Sequence, residues 1–143
     1  MHQATREELL TALDDGWGAL VDHFHSLPQD EQAAYLERQG YARLPDLLAH
    51  VIAWWELAIP RISVLLADPD CPGQEVDVDG FNAAAVARFR DCDEPSMVAL
   101  FETTRNQLRN LIVSLPEAAF DHHRVNERLS METIGHLSEH AFR

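Results

Sequence analysis

Apolar residues recur at helical spacing through four long stretches of the chain. Leu9, Leu13, Trp17, Leu20, Val21 and Phe24 mark one face of a first helix running from about Thr5 to Ser26. Thr5-Arg6-Glu7-Glu8 has the form of a capping box, and Pro28 ends the element. Gln29 to Gln39 reads as a short polar helical turn closed by Gly40. A second helix begins near Leu44, with Pro45 in its first turn, and carries Leu47, Leu48, Val51, Trp55, Ala58, Ile59, Ile62, Leu65 and Leu66. Pro60 lies inside it and is expected to kink it. The breaker-rich run Asp68 to Gly73 is a loop, and Phe81 to about Arg90 a third helical segment. Val76 and Val78 alternate with acids, but the run is too short to found a sheet.

Glu94-Pro95 opens the next helix, whose stripe is Met97, Leu100, Phe101, Thr104, Leu108, Leu111, Ile112 and Leu115, stopped by Pro116. Phe120 to Arg128 is polar and reads as a loop. Ser130 is then the expected cap of a last helix with Thr133, His136, Leu137 and His140 facing inward. There is no internal repeat and no convincing strand. The expectation is an all-α single domain over 1–143, a bundle of four long helices with a long connection after the second.

Composition narrows the function. The chain has 143 residues, 46% of them apolar, which suits one domain with a proper core. No stretch approaches the ~20 apolar residues needed to cross a membrane, and the N-terminus is too polar for a signal peptide, so a cytoplasmic location is the default. Twenty-four acids stand against 11 bases, all arginine, for a net charge of −13. Without lysine there is no side-chain Schiff base and no Walker-type phosphate loop. A chain this acidic repels phosphate backbones, so no nucleic-acid partner is expected; a small-molecule substrate is. Cys71 and Cys92 are 21 positions apart and read as two unpaired thiols in a reducing compartment. The sequence leaves open a homodimer.

The histidines carry the candidate chemistry. His136 and His140, four apart, share one face of the last helix. Glu132 precedes them by one turn, placed to orient a histidine or to act as a ligand or base itself. His50 lies ~60° around the second helix from Leu47, on the flank of the buried stripe. Converging imidazoles with open coordination positions are what a catalytic metal site requires, and a histidine without metal serves as a general base. Taken singly, each has a plainer reading: His50 as a core residue bonded to a carbonyl, the His136–His140 pair as surface. His2, His23, His25, His122 and His123 read as solvated. Trp54 shares His50's face and is the better pocket wall, while Trp55 continues the core stripe. Asn82 is either an exposed residue at a helix start or a polar group aimed into the bundle mouth. Glu56 and Glu139 are further acids within reach.

Three of these segments together carry a resemblance. Leu47-Leu48-Ala49-His50-Val51-Ile52-Ala53-Trp54 resembles the second-helix signature of the DinB-like metal-binding bundles, and Ile134-Gly135-His136-Leu137-Ser138-Glu139-His140 their last-helix motif. Phe81-Asn82 with the following alanines is similar to the third segment of the colibactin self-protection (ClbS/DfsB) branch. The resemblance runs from the first helix to the C-terminus. It implies an up-down-down-up bundle of the DinB/YfiT-like type with the long crossover between helices 2 and 3. It implies a divalent metal, zinc or nickel, held by His50, His136 and His140. For the superfamily it implies thiol-dependent transferases and isomerases. For the branch it implies a cytoplasmic enzyme that disarms a reactive electrophile by hydrolysis or addition. Catalytic roles would then fall to His50, His136, His140 and Glu132, and substrate contacts to Trp54 and Asn82.

Overall fold

The computed structural model describes residues 3–142 and is helical throughout; among the described residues there is no strand. The first run is one continuous rod made of three helix types. Helix α1 (Arg6–Thr11) passes into a π turn (Ala12–Gly16), a short 3₁₀ stretch (Trp17–Ala19) and α2 (Leu20–Ser26). Thr5 and Glu8 form the capping box: the Thr5 hydroxyl accepts the Glu8 N–H at 3.1 Å and the Glu8 carboxylate accepts the Thr5 N–H at 3.3 Å. Helix α3 (Gln29–Gln39) ends at Gly40, whose φ of 83° is the left-handed geometry that terminates helices. Helix α4 (Leu44–Ala67) runs through Pro60 as one element. Helix α5 (Val78–Arg88) starts three residues earlier than the sequence suggests. Helix α6 (Glu94–Ser114) is capped by the Asp93 carboxylate, which accepts the Ser96 N–H at 2.9 Å.

The clearest correction concerns Phe120 to Arg128. It is not a loop but α7 (Glu117–Phe120) followed by α8 (His123–Ser130), with His122 Nδ1 accepting the Val125 N–H as a cap. Ser130 caps nothing: its backbone is helical (φ −64°, ψ −41°), and the helix continues through a π turn (Met131–Gly135) into α9 (His136–Glu139). The misreading has a physical source. Asn126 is polar yet buried, donating to the carbonyls of Ala4 and Phe120 and accepting the Ala4 N–H. Its polarity serves to tie the chain's start to its last rod, not to meet water.

Side-chain pairings give the relative directions. Along the first rod, Arg6 reaches the Ile112 and Leu115 carbonyls, Asp14 meets Arg109 at 3.0 Å and His25 meets Glu94 at 3.2 Å, so this rod runs antiparallel to α6. It runs parallel to the last rod, with Ala4 beside Asn126, Trp17 beside Thr133 and His23 stacked on Phe142. Helix α4 opposes the last rod: His50 meets His136, Trp55 meets Glu132 and Cys71 meets Arg124. Trp17, Trp55 and Phe101 occupy the centre, all fully buried. Trp17 is edge-on to Trp55 at 5.0 Å and Trp55 stacked on Phe101 at 5.5 Å, a geometry that adds to their area burial.

Helix α4 also corrects the expectation on membranes. It contains an 18-residue window of mean hydropathy 1.3, long and apolar enough to span, and half of that window is buried inside the protein. Its apolarity is used against α5, α6 and α8. Cys71 is buried, Cys92 half-buried, and both are free thiols.

Candidate metal centre

Helix α4 and the last rod meet at three histidines. His50, His136 and His140 are all buried, and one ring nitrogen from each lies within 4.8 Å of the others. His50 Nε2 and His136 Nε2 are 2.9 Å apart. The opposite nitrogens all face oxygens. His50 Nδ1 is 2.7 Å from Asn82 Oδ1, which also accepts the Trp54 indole N–H at 2.7 Å. His140 Nδ1 is 2.6 Å from Gln39 Oε1, and His136 Nδ1 lies 3.9 Å from the Glu132 carboxylate. An amide or carboxylate oxygen only accepts, so the proton sits on Nδ1 of His50 and of His140. Their Nε2 lone pairs are then left for something else.

That arrangement fits a cation. Two imidazole lone pairs 2.9 Å apart repel unless a proton or metal lies between them. His140 Nε2 is fully buried and has no hydrogen-bond partner, an uncommon state for a buried polar atom. Nitrogens bound to one ion at ~2.1 Å stand about 3 Å or slightly more from one another, close to the separation seen. Among the described residues, His50, His136 and His140 are therefore placed to hold a metal together.

Burial sets the electrostatics. The His136 imidazole is pushed down to about 2, by desolvation first and then by the neighbouring His140 and His50. His140 is pushed down to about 4 by desolvation and by His50. His50 is lowered by desolvation, partly opposed by its bond to Asn82. All three rings are thus neutral and ligand-ready at physiological pH. Glu132 moves the other way, up to about 7: burial outweighs the attraction of Arg128, and Glu139 adds to the rise. Its carboxyl holds or releases a proton near neutrality.

The π turn at Met131–Gly135 lies at this centre. The carbonyls of Glu132 and Thr133, inside the turn, accept the indole N–H groups of Trp55 at 3.1 Å and Trp17 at 2.9 Å. The two buried tryptophans thus anchor the irregular backbone that carries the histidines. Such bulges recur at functional sites. Trp17 also lies edge-on to the His136 and His140 rings, at 5.2 and 6.0 Å.

A cavity of about 290 Å³ opens beside His50 and His136, with Trp54, Asn82, Glu132 and Glu139 in its wall. Asn82 is therefore not a solvated helix-start residue; starting α5 at Val78 places it in the second turn, facing His50. Trp54 packs on Phe81 at 4.5 Å. Glu56 lies apart, paired with Arg88 at 2.7 Å. Leu137 is only half-buried. Among the other histidines, His25 pairs with Glu94, His123 pairs with Glu127, and His122 caps α8. His2 lies outside the described residues. Sequence reasoning missed Gln39, Arg128 and Trp17. Gln39 had one signal, its place beside the helix-ending Gly40, which does not say where its amide points.

No curated protein and no solved structure matches this chain. A family model does match, that of the DinB superfamily, over residues 12–143, which takes in all three histidines and their partners. With nearly the whole length matched, the chain belongs to the DinB superfamily.

Proposed function

We propose that this protein is a metal-dependent enzyme acting on a small electrophilic molecule, with His50, His136 and His140 as the ligands. The observation that carries this reading is the convergence of three buried imidazoles whose far nitrogens each face an oxygen. The metal, zinc or nickel, would supply a Lewis acid that lowers the pKa of a thiol or water at the mouth of the cavity. The chain's own groups do the rest. Asn82 and Gln39 hold the His50 and His140 rings in place, and the Glu132 carboxyl stands 3.9 Å behind the third. Glu132, near half-protonated at neutral pH, takes or returns a proton at the cavity wall. Trp54 and Asn82 position the substrate beside His50.

Within the superfamily two chemistries fit, thiol addition and hydrolysis. The hydrogen-bonded group of His50, Trp54 and Asn82 supports placement in the colibactin self-protection branch, and with it the disarming of a reactive ring or similar electrophile. The parallel and antiparallel pairings support the up-down-down-up DinB/YfiT-like topology in a single domain over 1–143. A cytoplasmic location, no nucleic-acid partner and a possible pairing of two copies complete the reading.

The test is elemental analysis of protein purified without a histidine tag, followed by turnover of a model epoxide with and without a small thiol. About one zinc or nickel per chain with metal-dependent turnover is expected. A metal-free protein that binds none on reconstitution sinks the reading. Turnover that requires the thiol identifies a transferase, and turnover in water alone a hydrolase.

A further inference from the structure

On the flank of the last rod, next to the histidine cavity, lies a second cavity of about 180 Å³. Three of the chain's 11 arginines line it: Arg61 from α4, and Arg124 and Arg128 from α8. In a protein of net charge −13 this is a local reversal of sign. Arg61 and Arg124 each commit one nitrogen to the loop after α4. Arg61 Nη2 donates to the Pro72 carbonyl, and Arg124 Nη1 to those of Pro69 and Cys71. They hold the loop so that Gly73 and Gln74 form the far wall.

Arg128 is different. Its Nε and Nη2 are fully buried and make no hydrogen bond. Its ion-pair partner is the Glu132 carboxylate, 3.4 Å from Nε and out of hydrogen-bonding alignment. Two of its three guanidinium nitrogens are thus desolvated without a partner, while the side chain as a whole is 20% exposed and lines the cavity; a planar oxyanion is the ligand its fork geometry matches. Glu127, the acid on the rim, is paired with His123 at 3.3 Å. Met131 belongs to the walls of both cavities, and its side chain is 56% exposed. Arg128 precedes His136 by two helical turns, ~12 Å along the rod.

We infer that Arg128, with Arg61 and Arg124, forms an oxyanion subsite that holds the carboxylate or phosphate end of the substrate while its electrophilic end lies at the histidine centre. This rests on the proposed function for the second half of the statement only; the anion site stands on the arginines alone. Substrates without an anionic group would lose this anchor, and the neutral, apolar part would cross over Met131.

The probes are acetate, inorganic phosphate and the neutral isostere acetamide, titrated while the arginine Nε–Hε signals are followed by NMR. Acetate or phosphate should shift the Arg128 signal saturably, and acetamide should not. Arg128→Gln should weaken binding at least about tenfold, as expected for one lost charge-assisted contact. Gln74→Glu, on the exposed loop, should do the same without touching the buried guanidinium, which keeps the test valid if Arg128→Gln fails to fold. The exposed Arg90→Gln should change nothing. Response to only one of the two anions keeps the site and names its ligand. Shifts that do not saturate, or that survive both variants, overturn the subsite. Metal is measured on the same samples. Anion binding in a protein that takes no metal sinks the proposed function and leaves the subsite standing, and the reverse result does the opposite.

Discussion

Two sets of histidines share this chain and differ in everything but chemistry. His23, His25, His122 and His123 sit at the periphery, where a ring stacks on Phe142, pairs with an acid or caps a helix. His50, His136 and His140 sit at a junction of rods, desolvated, with Nδ1 directed outward to an oxygen and Nε2 inward. The difference teaches that what fits an imidazole to hold a metal is the oxygen behind it and the dryness around it.

The strongest way to break that contrast is His50→Ala. Bound metal, read by elemental analysis, should fall from about one per chain to none, while His23→Ala should leave it unchanged. Retention of metal in the His50 variant would show that the cluster is not the site. Gln39→Leu sharpens the role of the outward oxygen. Losing the acceptor for His140 Nδ1 should cost ~10–100-fold in metal affinity, measured by competition with a chelator, with all three ligands still present.

Trp55→Phe probes the backbone beneath. It keeps an aromatic ring but removes the donor to the Glu132 carbonyl, and should cost about 1–3 kcal/mol in chemical denaturation. Acid probes the dryness. His136 and His140 are held at about 2 and about 4, against 6.5 ordinarily, so the unfolded chain takes up protons below pH 6.5 that the fold refuses. Metal-free protein should therefore lose stability as pH falls from 6.5 towards 4. Glu132, raised from 4.5 to about 7, opposes this: its contribution is whole below 4.5 and lost as pH rises through about 7. Glu132→Gln should steepen the acid loss by about one proton per molecule between those limits. The smallest expected effect is none: random duplex DNA at ~150 mM salt should show no sub-micromolar binding, since −13 net charge offers few counterions to release.

How much of this was legible beforehand follows from which interactions are local. The Thr5 capping box, Gly40 and the apolar stripes of α4 and α6 act within a turn or two of their own residues, and they read correctly. Asn126 and Gln39 could not be read, because each is polar for the sake of a partner more than 100 positions away, and Asn82, whose partner His50 is 32 positions away, could be read only as one of two alternatives. The π turns leave no composition signal either. In Ala12–Gly16 the trace is Gly16, where a Cβ would come within 2.2 Å of the Leu137 side chain.

The second of those turns sets a rotational phase. Each residue of an α-helix advances ~100° about the axis. In a regular helix Val125, Leu129, His136 and His140 would share one arc of ~60°; the π turn between them, with fewer degrees per residue, offsets the two histidines from the two apolar residues, and all four are buried. Relaxing Met131–Gly135 to regular α pitch with all its residues in place would swing both histidines about a quarter-turn away from His50. The three rings would part without the loss of any side chain, so their convergence is encoded as much in the pitch of this stretch as in its letters.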